Sequence, residues 1–316
     1  MKDKFFFDSL IDPLSKEGVK AINKDLISFK CSNNYPVINN IPIIIDESRS
    51  IFEIGDILKN IPTTQSSSFR DKSLKNTVRK NILPSLSIDF TYEKRYSELA
   101  ERFKGKNILV IGCGDKIALY NKIFKDSLVI NSDVHVQFSP DIVFDSHQIP
   151  FKDESFDLII AAQVLEHTFK PWIVAEELER TIKTGGNLLI EVPFNFPYHS
   201  PPYDFFRFTF TGLRSLFPKS NLVKYEVPEG NASSVANYNS DFLINLFANR
   251  YLRMVMLFIS RFLFGWLKYI DLLRKKESIR SISIPKGFSM IFEKDNIERS
   301  NIQLLDEYFE LKKASV

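Results

Sequence analysis

The chain has 316 residues, 44% hydrophobic and 26% charged, with a formal charge of +3 at neutral pH. That length accommodates one large domain plus a small one around a substantial core. The near-balanced charge gives no general case for a nucleic-acid partner, and none is expected. Cys31 and Cys113, the only cysteines, exclude a disulfide framework and a Cys-rich zinc site.

In chain order, residues 1–48 open with an apolar stretch that charges and Pro13 interrupt too early for a signal-peptide core. A reducing, cytoplasmic setting is therefore the expectation. The zone ends in β-branched runs split by Asn-Asn pairs and prolines, predicting short strands and tight turns. Residues 49–100, with TTQSSS and a basic polar stretch, read as a linker followed by a helix.

From 101 to 235 strands and helices alternate. Apolar runs at 107–111, 128–131, 142–144, 156–162 and 187–192 predict buried strands, and 171–183 reads as a helix with Pro171 in its first turn. The expected fold is α/β, a doubly wound, mostly parallel seven-stranded sheet with right-handed crossovers. Around it sit a small N-terminal β-rich domain and a C-terminal helical insertion at 236–280, before a last strand and helix at 281–316.

Open α/β sheets bind ligands beyond the carboxyl ends of their strands. The turn Ile111-Gly112-Cys113-Gly114 falls at such an end, where glycines let backbone approach a ligand and a helix N-terminus favours its anionic groups. Asp133 ends the second strand at the spacing of a ribose-binding acid. Asp145-Ser146 and Gln163-Val164-Leu165-Glu166-His167 leave the following strands on the same edge. Ile117 stands where a dinucleotide fingerprint needs glycine, which argues against a nicotinamide cofactor.

The order IGCG, a second-strand acid, D-x-x-x-x-PF, S-FD-L-I, VLEH and K-x-GG-x-L resembles the class I methyltransferases of the type 11 group. The resemblance spans about residues 106–218. It implies S-adenosylmethionine as cofactor, with Ile111, Gly112, Cys113 and Gly114 at its methionine moiety. It further implies Asp133 on the ribose, Asp145 and Ser146 near the adenine, and Gln163 and Val164 beside the sulfonium. Lys116 replaces a glycine usual in that family and is expected to narrow the pocket or meet the cofactor carboxylate.

The segment His199-Ser200-Pro201-Pro202-Tyr203-Asp204-Phe205-Phe206-Arg207-Phe208-Thr209 resembles an H-x-x-P-x-D-x-x-R-x-T signature of a bacterial subgroup, and would cover the site's mouth. His199 or Asp204 would accept a proton from the acceptor; the competing reading makes Asp204 and Arg207 a structural pair that pins the loop. All four histidines (His135, His147, His167 and His199) fall within this core, but no pair has an i, i+4 ligand spacing, so no metal site is expected.

The first 48 residues resemble a small zinc-ribbon-like Trm112 domain. Asp12-Pro13-Leu14-Ser15 and Cys31-Ser32-Asn33-Asn34 stand for its ligand pairs, and Tyr35-Pro36 and Asn40-Ile41-Pro42 are kept. Three of the four ligand positions lack cysteine, so a metal-free remnant held by apolar strands is expected.

Residues 241–275 are strongly apolar but too interrupted by charge to span a bilayer. On a helical projection Arg250, Arg253, Arg261, Lys268 and Lys275 share one stripe, as a single helix or a pair broken at Gly265. Packing on the core, a homodimer contact, or peripheral docking on the inner face of a membrane are the partners this admits. The sequence reading is therefore an S-adenosylmethionine-dependent methyltransferase acting on a small-molecule, glycan or lipid-linked acceptor. Its alternative is an inactive methyltransferase-like binding scaffold.

Overall fold

The computed structural model describes residues 2–23, 25–31, 33–59, 61, 83–273 and 278–314. Ser32, the TTQSSS stretch and Lys275 lie outside them.

The central sheet is built from β5 (Asn107–Ile111), β6 (Leu128–Asp133), β7 (Ile142–Val143), β8 (Phe156–Ala162), β9 (Ile182–Pro193), β10 (Ser220–Glu226) and β11 (Gly287–Lys294). Its order is β10-β11-β9-β8-β5-β6-β7. β5, β6, β7, β8 and β9 pair in parallel, and only β11 runs against its neighbours. The chain therefore starts at the sheet's middle, works out to one edge, and returns through β8. That reversal between β5 and β8 opens a crevice at the strand ends. β5 and β8 are buried along nearly their whole length, as continuous apolar strands covered on both faces should be.

One face is covered by α3 (Tyr92–Arg102) and α4 (Ile117–Ile123), through Tyr96, Leu99, Phe103, Tyr120 and Phe124. Under the other lie α5 (Pro171–Thr181) and α6 (Phe210–Arg214), through Val174, Leu178 and Leu213. α5 stops at Thr181, well before Gly185-Gly186, because the chain turns directly into β9. β10 has no counterpart among the predicted runs: at the sheet edge its burial is partial, so it carries no apolar signature.

The N-terminal region comprises α1 (Lys2–Ser9), a four-stranded antiparallel meander and, after it, α2 (Ile54–Leu58). Its strands are β1 (Val19–Ile22), β2 (Leu26–Phe29), β3 (Asn34–Ile38) and β4 (Ile41–Pro42). It shares the core of the large sheet. Phe5 packs edge-on against Phe156 (5.9 Å) and Phe6 against Phe151 (6.0 Å). The amide of Ile44 donates to the Val143 carbonyl (2.8 Å), extending the sheet at its β7 edge. Inside this region Asp12 is wholly buried. Its carboxylate accepts from the Leu14 and Ser15 amides (3.0 and 2.7 Å), from Asn33 Nδ2 (3.0 Å) and from the Tyr35 hydroxyl (2.9 Å). Burial pushes this carboxyl up, but those hydrogen bonds outweigh it and hold it below the usual carboxylate range. One acid thus ties together the two turns. Cys31 and Cys113 are both free.

The insertion forms a helical hairpin, α7 (Asn231–Asn245) and α8 (Arg250–Phe264). The insertion breaks twice: at residues 246–249, where Asn249 caps α8 by accepting from the Tyr251 amide (2.8 Å), and at Gly265, which ends α8 before a 3-10 helix at Leu267–Leu273. Gly265 follows the last turn of α8, where a Cβ would sit 2.4 Å from the Arg261 carbonyl oxygen. The expected basic stripe is incomplete: Lys268 is buried, and its Nζ donates to the Ser85 carbonyl (2.8 Å).

Candidate functional site

The glycine turn after β5 takes a conformation that side chains resist. Gly112 has φ +62° and Gly114 φ +52°. A Cβ on Gly112 would lie 2.7 Å from Val164 Cγ2, so the turn and the loop after β8 touch only because position 112 is glycine. The turn is also tied to β6. The Cys113 amide donates to the Ser132 carbonyl (2.9 Å), and the Gly114 amide to Asp133 Oδ2 (3.0 Å). Across the crevice Gln163 sits at φ +59°, uncommon for a side-chain-bearing residue, held by its amide bond to the Glu191 carbonyl (2.8 Å).

These elements border a narrow pocket at the carboxyl ends of the parallel strands. Ile111, Gly112, Asp133, Asp145, Ser146, Gln163 and Val164 all line it. Cys113 and Gly114 do not: the Cys113 side chain packs into the core behind the turn, and Gly114 is held on Asp133. Lys116 is exposed and does not line the cavity, so of its two expected effects it does not narrow the pocket.

Several lining residues were not foreseen. Ile51 and Phe52 form part of the wall, so a segment read as linker folds over the site and narrows its inner space. Ser50 Oγ donates to Asp145 Oδ2 (2.5 Å) and Phe52 packs near Tyr203 (ring centroids 6.1 Å apart). His147 also lines the cavity; its Nδ1 pairs with Asp145 Oδ1 (2.6 Å) while its Nε2 accepts from the Lys170 amide (3.1 Å). Burial raises the Asp145 carboxyl, but His147 and Ser50 outweigh that and hold it below the usual range. Asp145 therefore serves first as the pin of its loop. Neither Ser50 nor Phe52 belongs to any motif, and only the fold brings them here.

Asp133 differs. Burial pushes its carboxyl up to about 6, against hydrogen bonds from the Gly114, Val134 and His135 amides. A carboxylate at a parallel strand's end, facing a cavity and backed by amides, suits a diol.

His199 and Asp204 do not line this cavity. The Asp204 side chain is wholly buried, and Arg207 NH1 and NH2 donate to its two oxygens (2.6 and 2.7 Å) while the His199 amide adds a third bond (2.7 Å). Burial acts against ionisation, but these partners outweigh it and hold the Asp204 carboxyl below the usual carboxylate range. His199 stacks edge-on against the cavity-lining His167 (4.9 Å between centroids), and burial lowers the pKa of both rings.

With this geometry in place, comparison with known proteins adds one direct finding. Residues 121–190 match the model of a methyltransferase domain. The methyltransferase-domain match includes Asp133, Asp145, Ser146, Gln163, Val164, Glu166 and His167, and begins after the glycine turn. No curated protein matches the chain. Similar solved structures include a chain of the complex between the Haloferax volcanii Trm112 methyltransferase activator and a methyltransferase (16% identity, 65% of this chain and 89% of that one, TM-score 0.41). Others are coclaurine N-methyltransferase bound to N-methylheliamine and SAH (12%, 76% and 92%, TM-score 0.43) and Haemonchus contortus phosphoethanolamine N-methyltransferase 2 with S-adenosyl-L-methionine (14%, 66% and 53%, TM-score 0.39).

Proposed function

We propose that the protein transfers a methyl group from S-adenosylmethionine to an acceptor held at or near a lipid surface. The observation that carries the cofactor reading is the meeting of Gly112, Asp133 and Val164 around one cavity at the reversal of the parallel sheet. In this reading Asp133 accepts hydrogen bonds from the ribose hydroxyls, Ser146 and Phe144 border the adenine, and Gln163 and Val164 flank the sulfonium. In-line displacement at that carbon needs alignment and exclusion of water more than it needs a base. Ile51 and Phe52 supply the exclusion.

The lipid-surface reading rests on the hairpin. On α8 Tyr251, Phe258, Phe262 and Leu263 are 63%, 43%, 66% and 53% exposed, and Phe242 on α7 is 63% exposed. The inward stripe of α8 is narrow, with Ser260 Oγ bonded to Ser240 Oγ of α7 (2.8 Å), so the wide apolar side faces outward. Exposed Arg250 and Arg253 flank it, the arrangement of an interfacial helix on anionic lipid. Among the described residues no helix is long and apolar enough to cross a membrane. Ser234 Oγ on α7 donates to the Asn195 carbonyl (3.2 Å), joining the hairpin to the loop that carries His199. The hairpin would therefore present a lipid-linked acceptor from the His199 side. We also read the N-terminal meander as a Trm112-like remnant in which Asp12 does the tying that a metal would do.

Incubation with methyl-labelled S-adenosylmethionine and a membrane extract tests this. Label in the lipid or lipid-linked fraction is expected; label confined to unreacted cofactor would contradict it.

A further inference from the structure

Beside the cavity lies a group of side chains that methyl transfer, as described, does not use. Glu166 is wholly buried in the loop after β8, and neither carboxylate oxygen has a hydrogen-bond partner. A buried, unpaired carboxyl is costly to ionise, so it either stays protonated or faces a cation that compensates its charge. His167 Nε2 lies 3.9 Å from Glu166 Oε1. His199 reaches the same point from the loop after β9, and one donor atom from each of Glu166, His167 and His199 falls within 4.8 Å of the other two.

We propose that Glu166, His167 and His199 bind one divalent first-row cation of the zinc type. Two imidazoles and one carboxylate form a recognised set for such ions, one that leaves a coordination position open. Donors about 2.0–2.2 Å from zinc stand roughly 3.3–3.6 Å apart in a tetrahedral site, so binding would draw the three donors together from separations of up to 4.8 Å by side-chain rotation.

The outer contacts fit the same assignment. Metal-bound histidines generally give their second ring proton to a carbonyl or carboxylate. His167 Nδ1 lies 2.5 Å from the Tyr203 carbonyl oxygen, and donating there leaves Nε2 with its lone pair toward Glu166. His199 Nδ1 lies 3.2 Å from Arg207 NH2, 3.3 Å from Asp204 Oδ2 and 3.4 Å from the Pro197 carbonyl oxygen. Both NH2 hydrogens of Arg207 have acceptors in Asp204 Oδ2 and the Pro197 carbonyl, so Nδ1 can give its proton to Asp204 and free Nε2. Arg207 then fixes Asp204, which explains why an acid outside the cavity is so fully engaged. Spacing in sequence could not show this site, since Glu166 and His167 are adjacent and His199 comes from another strand's loop.

His167 also lines the cavity, which places the open coordination position on the acceptor side. A cation there would lower the pKa of a bound acceptor hydroxyl, which would give its proton to solvent; its oxygen would then take the methyl group as the carbon–sulfur bond breaks and S-adenosylhomocysteine leaves. That role rests on the methyl-transfer reading; the site itself does not.

The test is calorimetric titration of the chelator-treated full chain with zinc chloride alone, beside a Co²⁺ titration followed by visible absorption. One ion per chain is expected, with affinity reduced more than about 100-fold in Glu166→Gln and in His199→Ala, and about 10–100-fold in Asp204→Asn, the range for outer-contact changes. His199→Ala lies on a part-exposed loop and keeps the fold within reach of measurement, which a thermal melt and S-adenosylmethionine titration of each variant establish. Absence of stoichiometric zinc in the wild type, or equal affinity in wild type and Glu166→Gln, would overturn the proposal. Cofactor binding is read separately, so loss of one reading is distinguishable from loss of the other.

Discussion

At Asp133 the chemistry of one carboxyl links the fold to binding. It must be ionised to accept two hydroxyl hydrogen bonds, yet burial lifts its pKa to about 6. At about pH 7.5 it is almost wholly charged, and by about pH 5 it is mostly neutral. Affinity for S-adenosylmethionine is therefore expected to fall as pH drops through 6, measured by titration at each pH, while Asp133→Asn gives a weak and flat profile. A flat wild-type profile would remove the carboxylate from the ribose. The sign for stability is opposite. The folded-state pKa lies above the unfolded value, so the fold loses stability from this group as pH rises from about 4 to about 6. Gly112, Asp133, Asp145 and Val164 were legible in sequence because each sits at a strand end that an apolar run announces. Ser50, Phe52 and the grouping of Glu166 with His199 were not, since those contacts join segments with no common period or motif.

Among the elements, long buried strands wrote themselves plainly into the sequence, and edge strands did not. β8 is a continuous apolar run, whereas β10 alternates lysine and glutamate with half-buried apolar residues and depends on β11 for its existence. The N-terminal meander is short, and Asp12 does more for it than its strands' own propensity. Replacing Asp12 with Ala would leave the buried Tyr35 hydroxyl and two turn amides without their acceptor. The expected loss is about 2–4 kcal/mol, read as a melting temperature lowered by several degrees. An unchanged melt would show that the apolar strands alone hold the region. Because hydrogen bonds hold the Asp12 carboxyl below its usual range, this contribution is present above the unfolded carboxyl pKa and disappears as pH falls through the folded value.

For the whole molecule, the sheet places one cavity at its strand reversal and the insertion places a large apolar surface near the loop that borders it. Periodicity in the sequence predicts a helical, amphipathic 241–275, and among its described residues helices cover 241–245, 250–264 and 267–273. It could not show which side faces inward, because serine pairing between α7 and α8 turns the apolar side out. Flotation with vesicles of phosphatidylcholine and phosphatidylglycerol should carry the wild type to the lipid layer. A variant with serine at Phe258, Phe262 and Trp266 should stay behind, since those exposed rings supply the insertion. Wild-type protein recovered in the soluble fraction would remove the lipid-surface reading and leave an interface between copies of the chain.

The methyl-transfer reading depends on the cavity holding an adenosyl sulfonium. Calorimetric titration with S-adenosylmethionine at about pH 7.5 measures that directly. Saturable binding at one site per chain is expected, weakened in Asp133→Ala by about 1.5–3 kcal/mol for each ribose bond lost. No heat of binding at millimolar ligand, or the same affinity in wild type and Asp133→Ala, would contradict it.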